Sequence, residues 1–214
     1  MRKLLPIAAA LAVAVQARAA CEPTKMVRVV YQDTSPGIDP QSPDAQPETL
    51  YRLGPRYARV EGAPDLQHGV RPLMVVNEPD IWMVNLVTNH GRHLIDAGSD
   101  AGFQAPVVGE PEIPRAIAEI EFGCEMEFVK TAGKPKAVEL EGQRVNQYER
   151  RIDAYRLVLS VSQKKNVPVA FTLYEGETVV FAIRYLQYET GLAPKMELFQ
   201  QPAGVTYEEE QSPS

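Results

Sequence analysis

Alternating apolar and polar residues dominate the chain from residue 25 onward. Three apolar runs, at residues 73–76, 81–87 and 94–95, are separated by the turn segments Asn77-Glu78-Pro79-Asp80 and Asn89-His90-Gly91. Proline suits the second position of a turn, and glycine readily adopts the positive φ that a three-residue hairpin loop needs. The pattern therefore predicts an antiparallel meander whose central strand carries Trp82, the only tryptophan in the sequence.

Further strands are predicted on both sides of this meander. They cover residues 25–32, 49–53 and 57–61 before it, and residues 137–140, 145–152, 155–162, 167–174 and 178–188 after it. Four prolines between residues 33 and 47 favour a long surface loop, because proline interrupts regular structure. We interpret this loop either as a mobile connector or as a lid over a binding surface.

One helix is predicted over residues 113–128. Its apolar residues recur at spacings of three and four and would form one stripe: Ile113, Ile117, Ile120, Cys124 and Phe128. Gly123 lowers helix stability and permits a break at that point. The acidic residues between 119 and 127 favour a solvated helix face and argue against insertion into a membrane surface. Strands and helix together predict an α+β fold with the helix on one side of a large antiparallel sheet.

Several predicted strands are apolar on both sides. Trp82 and Val84 share one side of their strand, and Ile81 and Met83 share the other. An antiparallel sheet with one solvated face should alternate cleanly between apolar and polar residues. We therefore expect cover on both faces of this sheet. The second face would be covered either by the protein itself or by a bound apolar ligand.

The N-terminal residues have the organisation of a secretory signal peptide. Arg2 and Lys3 precede an apolar run at residues 4–15, and Ala17-Arg18-Ala19 fits the small-x-small rule for signal peptidase. The run is short for a membrane span, although an uncleaved anchor is the alternative. We predict a signal peptide at residues 1–20 cleaved near Ala19 or Ala20, one domain at residues 21–206, a disordered tail at residues 207–214, and a periplasmic location.

The charge balance excludes some partners. The 214-residue chain has a formal net charge of −6, and loss of the three basic residues before residue 21 makes it −9. A nucleic-acid-binding protein needs a basic surface, so we expect no nucleic-acid partner. The same charge disfavours electrostatic docking on anionic lipid headgroups. We expect a monomer.

The two cysteines, Cys21 and Cys124, admit more than one state. Export permits a disulfide between them, and this is the pairing we predict. The alternatives are two free thiols and a lipidated Cys21, although Arg18 is an unusual residue three positions before a lipidated cysteine.

Recognisable catalytic motifs are missing from the sequence. His90 and His93, even with Asp96, supply too few ligands for a metal site. In Gly98-Ser99-Asp100-Ala101-Gly102 the serine follows the first glycine directly, so the segment is not the G-x-S-x-G motif of hydrolases. We expect no enzymatic activity, no cofactor and no metal.

Six short segments carry a family resemblance: residues 54–61, the hairpin at residues 76–83, residues 167–169, and the C-terminal segments 185–189, 197–199 and 202–205. They resemble segments of the LolA/LolB family of periplasmic lipoprotein carriers and of its LolA-like relatives. The resemblance spans about residues 25–206. It implies a divergent branch of the family with an open half-barrel, in which a bent antiparallel sheet holds the helix on its concave side. It also implies an acyl chain held between sheet and helix.

Under this resemblance the protein is a periplasmic carrier or binding protein for a lipid or an acylated lipoprotein, without catalysis. Strand alternation then selects the apolar residues that would line the groove: Trp82, Val84, Leu94, Phe171, Phe181 and Ile183. Arg59 would contact a headgroup or gate the groove, unless it forms an ordinary surface ion pair. The alternative function is an envelope scaffold or sensor that uses the same fold for contacts with other proteins.

Overall fold

A computed structural model describes residues 24–95 and 122–208. The strands are β1 Met26–Asp33, β2 Glu48–Leu53, β3 Tyr57–Glu61, β4 Pro72–Asn77, β5 Asp80–Asn85, β6 His90–Ile95, β7 Lys136–Leu140, β8 Gln143–Ile152, β9 Tyr155–Ser162, β10 Pro168–Glu175, β11 Thr178–Leu192 and β12 Thr206–Glu208. The helix α1 spans Glu125–Thr131, and two short 3-10 helices lie at Pro43–Ala45 and Met196–Phe199. None of the helices in the described ranges is long and apolar enough to cross a membrane.

The described strands form one open sheet in the order β12-β6-β5-β4-β3-β2-β1-β11-β10-β9-β8-β7. Two antiparallel meanders, β1 to β6 and β7 to β11, are joined where β1 pairs with β11. Only β12 pairs in parallel, with β6, among these described strands. Within residues 24–95 and 122–208, the sheet-dominated architecture with one α-helix agrees with the sequence prediction.

The observed helix is shorter than predicted and begins later. Residues 122–124 are not helical, because Gly123 adopts a φ of +86°, and α1 starts only at Glu125. It continues past the predicted end at Phe128 to Thr131. The rest of the predicted helix, residues 113–121, lies outside the described residues.

Two predicted turns differ in detail from the structure. Asn77 pairs with Asp80, so Pro79 occupies the third position of the turn after a cis peptide bond, and not the second position. The next loop spans residues 86–89, because Asn85 pairs with His90. Its positive φ, 54°, belongs to Asn89.

Gly91 is required by close packing and not by a turn. It lies inside β6, opposite Val84 of β5. A Cβ atom at this position would lie 2.6 Å from the carbonyl oxygen of Met83 and 3.0 Å from Cγ2 of Val84. Glycine therefore allows β6 to approach β5 at this pair.

The register places two hydrophobic clusters on opposite faces of the sheet. Side chains of directly paired residues point to the same face, so Trp82, Val75 and Arg59 share one face, which we call the Trp face. The other face, which we call the helix face, carries Leu157, Phe171 and Ile183 together with Phe128 of α1 in one buried cluster. The larger cluster therefore spans β1, β2 and β9 to β11 on the helix face, whereas the smaller one lies on β4 and β5 on the Trp face.

The expectation that both sides of every apolar strand are covered is wrong for β11. Phe181, Ile183 and Tyr185 are buried on the helix face, whereas Val180 and Leu186 are 40% and 44% exposed. This strand therefore shows the ordinary alternation of an antiparallel sheet with one solvated face.

The C-terminal end is more ordered than predicted. Residues 206–208 form β12, so the expected disordered tail does not begin at residue 207. The predicted signal peptide, Cys21, and residues 209–214 lie outside the described residues.

Candidate binding faces and a buried carboxyl group

The residues predicted to line one apolar groove lie on two faces of the sheet. Trp82 and Val84 lie on the Trp face, and Arg59 lies there too. Leu94 pairs with Ile81, which puts its side chain on the opposite face. The three C-terminal residues of the set, Phe171, Phe181 and Ile183, also lie on the helix face. The structure therefore does not bring the predicted set together.

The C-terminal part of the predicted groove is filled by the protein itself. Phe171 and Ile183 are 0% and 1% exposed, and Phe181 is 9% exposed. Phe122 and Phe128 belong to the same buried cluster, and the rings of Phe171 and Phe181 lie 6.3 Å apart. These side chains contribute to the hydrophobic core by ordinary burial.

Trp82 lies at the centre of the smaller cluster on the Trp face. Its indole ring stacks on His93 with a centroid distance of 5.4 Å, and the His93 Nε2 atom lies 2.7 Å from Oδ1 of Asp80. Trp82 is 7% exposed, and its Nε1 donor has no hydrogen-bond acceptor within the part of the chain that the structure describes. A buried donor without an acceptor costs about 1–3 kcal/mol, so such groups are rare.

The C-terminal segment, residues 196–208, covers this cluster. Phe199 is completely buried, and its ring lies 5.7 Å from that of Tyr57. Val205 and Tyr207 pack against the cluster that contains Trp82. The cover that we expected on the second face is thus supplied, in this half of the sheet, by the chain itself.

Arg59 connects the sheet to this segment. Its Nε atom lies 2.6 Å from Oε1 of Glu61, and its Nη1 atom donates a 3.3 Å hydrogen bond to the carbonyl oxygen of Leu198. Its side chain is 19% exposed. The ion pair that we considered as the ordinary alternative is therefore present, between Arg59 and Glu61. The hydrogen bond to Leu198 also attaches residues 196–208 to the sheet.

A completely buried carboxyl group lies under the first turn of α1. Glu125 is 0% exposed and accepts hydrogen bonds from the hydroxyl groups of Tyr185 (3.2 Å) and Tyr188 and from the backbone N–H of Gly123 (3.0 Å). The sequence pattern assigned Glu125 to a solvated helix face, which is wrong for this residue. The error follows from the helix boundary, since a helix starting at Glu125 presents different residues to the sheet.

Burial shifts the pKa values of Glu125, Tyr185 and Tyr188. Removal from water raises the pKa of Glu125 from 4.5 to about 7, against the opposing effect of its hydrogen bonds from Tyr188 and Tyr185. Burial also raises the pKa of Tyr185 and of Tyr188, and the nearby Glu125 carboxylate adds to both effects. The two tyrosines therefore remain protonated donors at any ordinary pH.

Arg52 holds the segment just before α1. It is 1% exposed, donates a 2.9 Å hydrogen bond from Nη1 to the carbonyl oxygen of Phe122, and donates a 3.1 Å hydrogen bond from Nε to that of Gly54. A general acid or base must reach its substrate, and Glu125 is inaccessible. The arrangement therefore fits a structural attachment of α1 better than catalysis.

An open cleft of about 920 Å³ lies between the proline-rich loop and residues 61–71. Its walls include the prolines Pro43, Pro47 and Pro64 and the acidic residues Asp39, Glu61 and Asp65. Asp65 is already engaged, because its Oδ2 atom lies 2.6 Å from Nδ1 of His68. The proline-rich loop thus forms one wall of a cleft.

The other residues considered for chemistry are dispersed. His93 pairs with Asp80, and residues 96–102 lie outside the described residues. Within residues 24–95 and 122–208, no group of three or more potential metal ligands is close enough to hold an ion. Cys124 is 7% exposed just before α1, and its predicted disulfide with Cys21 stays a prediction.

No protein-family model and no curated protein sequence matches the chain. Among solved structures, an uncharacterised conserved protein from Thermus thermophilus is 12% identical with a TM-score of 0.48, covering 86% of this chain and 90% of that one. The MucA/MucB complex of Pseudomonas aeruginosa gives 12% identity and a TM-score of 0.42, with coverages of 84% and 56%. MucB alone is 13% identical with a TM-score of 0.41, covering 91% of this chain and 64% of that one. At these values the likeness carries no conclusion about function.

Proposed function

We propose that this protein is an exported, non-catalytic binding protein that contacts another protein of the cell envelope. One observation carries the proposal: the apolar side chains expected to hold an acyl chain on the helix face are packed against each other, whereas the Trp face is covered by a separate segment of polypeptide, residues 196–208. The geometry thus supports the scaffold alternative more than the lipid carrier.

Export and absence of catalysis belong to the same proposal. The basic start and apolar run before residue 17 support secretion into the periplasm. Catalysis is disfavoured because Glu125, the carboxyl group with the strongly raised pKa, is inaccessible to a substrate. We also propose a half-barrel that carries α1 on its concave side, a position supported by burial of Phe128 in the large cluster.

Native mass spectrometry of the protein isolated from periplasm without detergent tests the function. We expect a complex with a second polypeptide, and a free form without bound lipid. Extra mass that leaves on solvent extraction and matches a lipid would contradict the proposal and favour the carrier function. The same spectrum reports the cleavage site and any lipid on Cys21.

The carrier remains a second candidate because of one apolar row on the helix face. Met74 pairs with Met83, and Ile81 pairs with Leu94, so these four side chains lie side by side. Met83 is 49% exposed, and the other three are partly exposed. An acyl chain lying there would bury apolar area worth about 0.8 kcal/mol for each CH₂ group.

Paired substitutions separate this candidate from the first. If the apolar row binds lipid, Met83→Asp abolishes lipid retention, whereas Ile95→Asp leaves retention unchanged, since Ile95 is 63% exposed on the opposite face. We expect equal, negligible retention in both variants and in the wild-type protein. Phe181→Asp is unsuitable for this test, because Phe181 belongs to the core and its loss would destabilise the fold.

A further inference from the structure

The segment 196–208 lies on the Trp face as a 3-10 helix at Met196–Phe199, a loop, and the short strand β12. Phe199 is completely buried against Tyr57, and Tyr207 packs on the cluster around Trp82. Between these two aromatic anchors, residues 200, 201, 203 and 204 are exposed. The segment therefore contacts the sheet mainly through Phe199, Val205 and Tyr207.

Its backbone attachment is short. β12 pairs with β6 over three residues, in parallel, at the outermost position of the described sheet. The accompanying ion pair between Arg92 and Glu208 spans 3.3 Å, with side chains 71% and 67% exposed. Exposed pairs of this kind contribute little to stability. Attachment thus depends on Phe199, Val205 and Tyr207 more than on polar contacts.

The fit between this segment and the sheet is incomplete at Trp82. The indole N–H is buried and finds no acceptor in the described chain, although the residues around it are closely packed. Buried donors are nearly always satisfied in folded proteins. A different occupant with a carbonyl or carboxyl oxygen at this point would satisfy the donor that the chain's own segment leaves without an acceptor.

We propose that the Trp face is the docking site for a segment of a partner protein that adds a short strand beside β6, and that residues 196–208 occupy this site when the partner is absent. The proposal rests on the proposed function and names its contact surface. The partner segment would run parallel to β6 and carry large apolar or aromatic side chains at the positions of Phe199 and Tyr207. It would also carry an acidic residue after the second anchor, facing Arg92, and an oxygen acceptor for Trp82.

A labelled peptide with the sequence of residues 195–208 tests the site on the full-length exported protein by fluorescence anisotropy. The wild-type protein should bind it weakly, since its own segment competes. Phe199→Ser in the protein removes the buried anchor of the competing segment, and we expect affinity for the wild-type peptide to rise by about tenfold or more. Met196→Ser is the matched control, because Met196 lies in the same segment but is 38% exposed; it should leave the affinity unchanged.

A second variant keeps the test informative if Phe199→Ser fails to fold. Tyr207→Ser in the protein removes the second anchor of the competing segment and leaves the Trp face itself unchanged, and should also raise affinity for the wild-type peptide, by about threefold. The emission of Trp82 reports in the same samples whether the cover over the indole changes. Unchanged affinity in both Phe199→Ser and Tyr207→Ser would overturn the docking site.

Other occupants give different results. A dimer formed by Phe199→Ser at micromolar concentration, dissociated by the peptide, would support a peptide-docking site. Binding of a pyrene-labelled C16 fatty acid in place of the peptide would overturn the site in favour of an acyl ligand. If a partner copurifies but Phe199→Ser leaves its binding unchanged, the docking site is wrong while the proposed function stands. Peptide exchange without any envelope partner would contradict the function and leave the site intact.

Discussion

Replacement of Glu125 by glutamine should change the pH dependence of folding stability. Burial raises the pKa of Glu125 from 4.5 to about 7 in the folded protein. Between these pH values the folded protein keeps the proton on Glu125, whereas the unfolded chain releases it. Unfolding therefore becomes more favourable as pH rises through this window, and the effect is complete above pH 7.

The structure gives the size of the effect. One pH unit corresponds to about 1.4 kcal/mol for a single proton, so the window from 4.5 to about 7 corresponds to about 3 kcal/mol of unfolding free energy. Glutamine does not titrate but fills nearly the same volume beside Tyr185 and Tyr188. We therefore expect Glu125→Gln to gain about 3 kcal/mol relative to the wild-type protein between pH 4.5 and pH 8.

Urea denaturation followed by circular dichroism at several pH values measures this difference. Other groups titrate in both proteins alike, so the difference between wild type and Glu125→Gln isolates Glu125. Glu127→Gln is the control on the same helix, because the Glu127 side chain is 52% exposed and pairs with Lys130. A wild-type minus Glu125→Gln difference that stays constant from pH 4.5 to pH 8 would refute the reasoning from burial.

Two further outcomes are expected. Gly91→Ala should destabilise the protein by about 1–3 kcal/mol, because its Cβ would lie 2.6 Å from the Met83 carbonyl oxygen; Gly133→Ala, with open space around it, should be nearly neutral in the same thermal denaturation. If Cys21 and Cys124 form a disulfide, a reducing agent should lower the melting temperature, since a cross-link closing a loop of about 100 residues restricts the unfolded chain. An intact mass showing two free thiols would end that prediction.

The strands were predictable because their pattern is local. Alternation and turn residues placed β3 and β9 correctly at both ends, and Pro168 begins β10, as expected for a residue that cannot donate to the sheet. The prediction failed at Gly91, because a glycine can be required either by a turn or by close packing between strands. Gly91 was taken as a turn residue, although tight packing against β5 requires it and Asn89 adopts the positive φ.

The candidate site was less predictable because it depends on long-range register. Leu94 lies on β6 and Trp82 lies on the neighbouring strand β5. A shift of one residue in the pairing of these strands would decide whether the two side chains share a face. Nothing local shows that Ile81, and not Trp82, lies opposite Leu94. Glu125 shows the same limit, because its burial depends on where α1 begins and on which tyrosines of β11 meet it.

The two faces of the sheet also explain why one apolar groove was an attractive but incorrect prediction. A sequence with apolar residues on both sides of its strands suggests a missing cover, and a ligand is the simplest candidate. Here the helix face is covered around Phe171 by Phe122 and α1, and the Trp face is covered around Val75 by residues 196–208. The second cover is attached by few backbone contacts and leaves the donor of Trp82 without an acceptor in the described chain. The surface most suited to exchange one occupant for another is therefore the one that the chain covers with its own C-terminal segment.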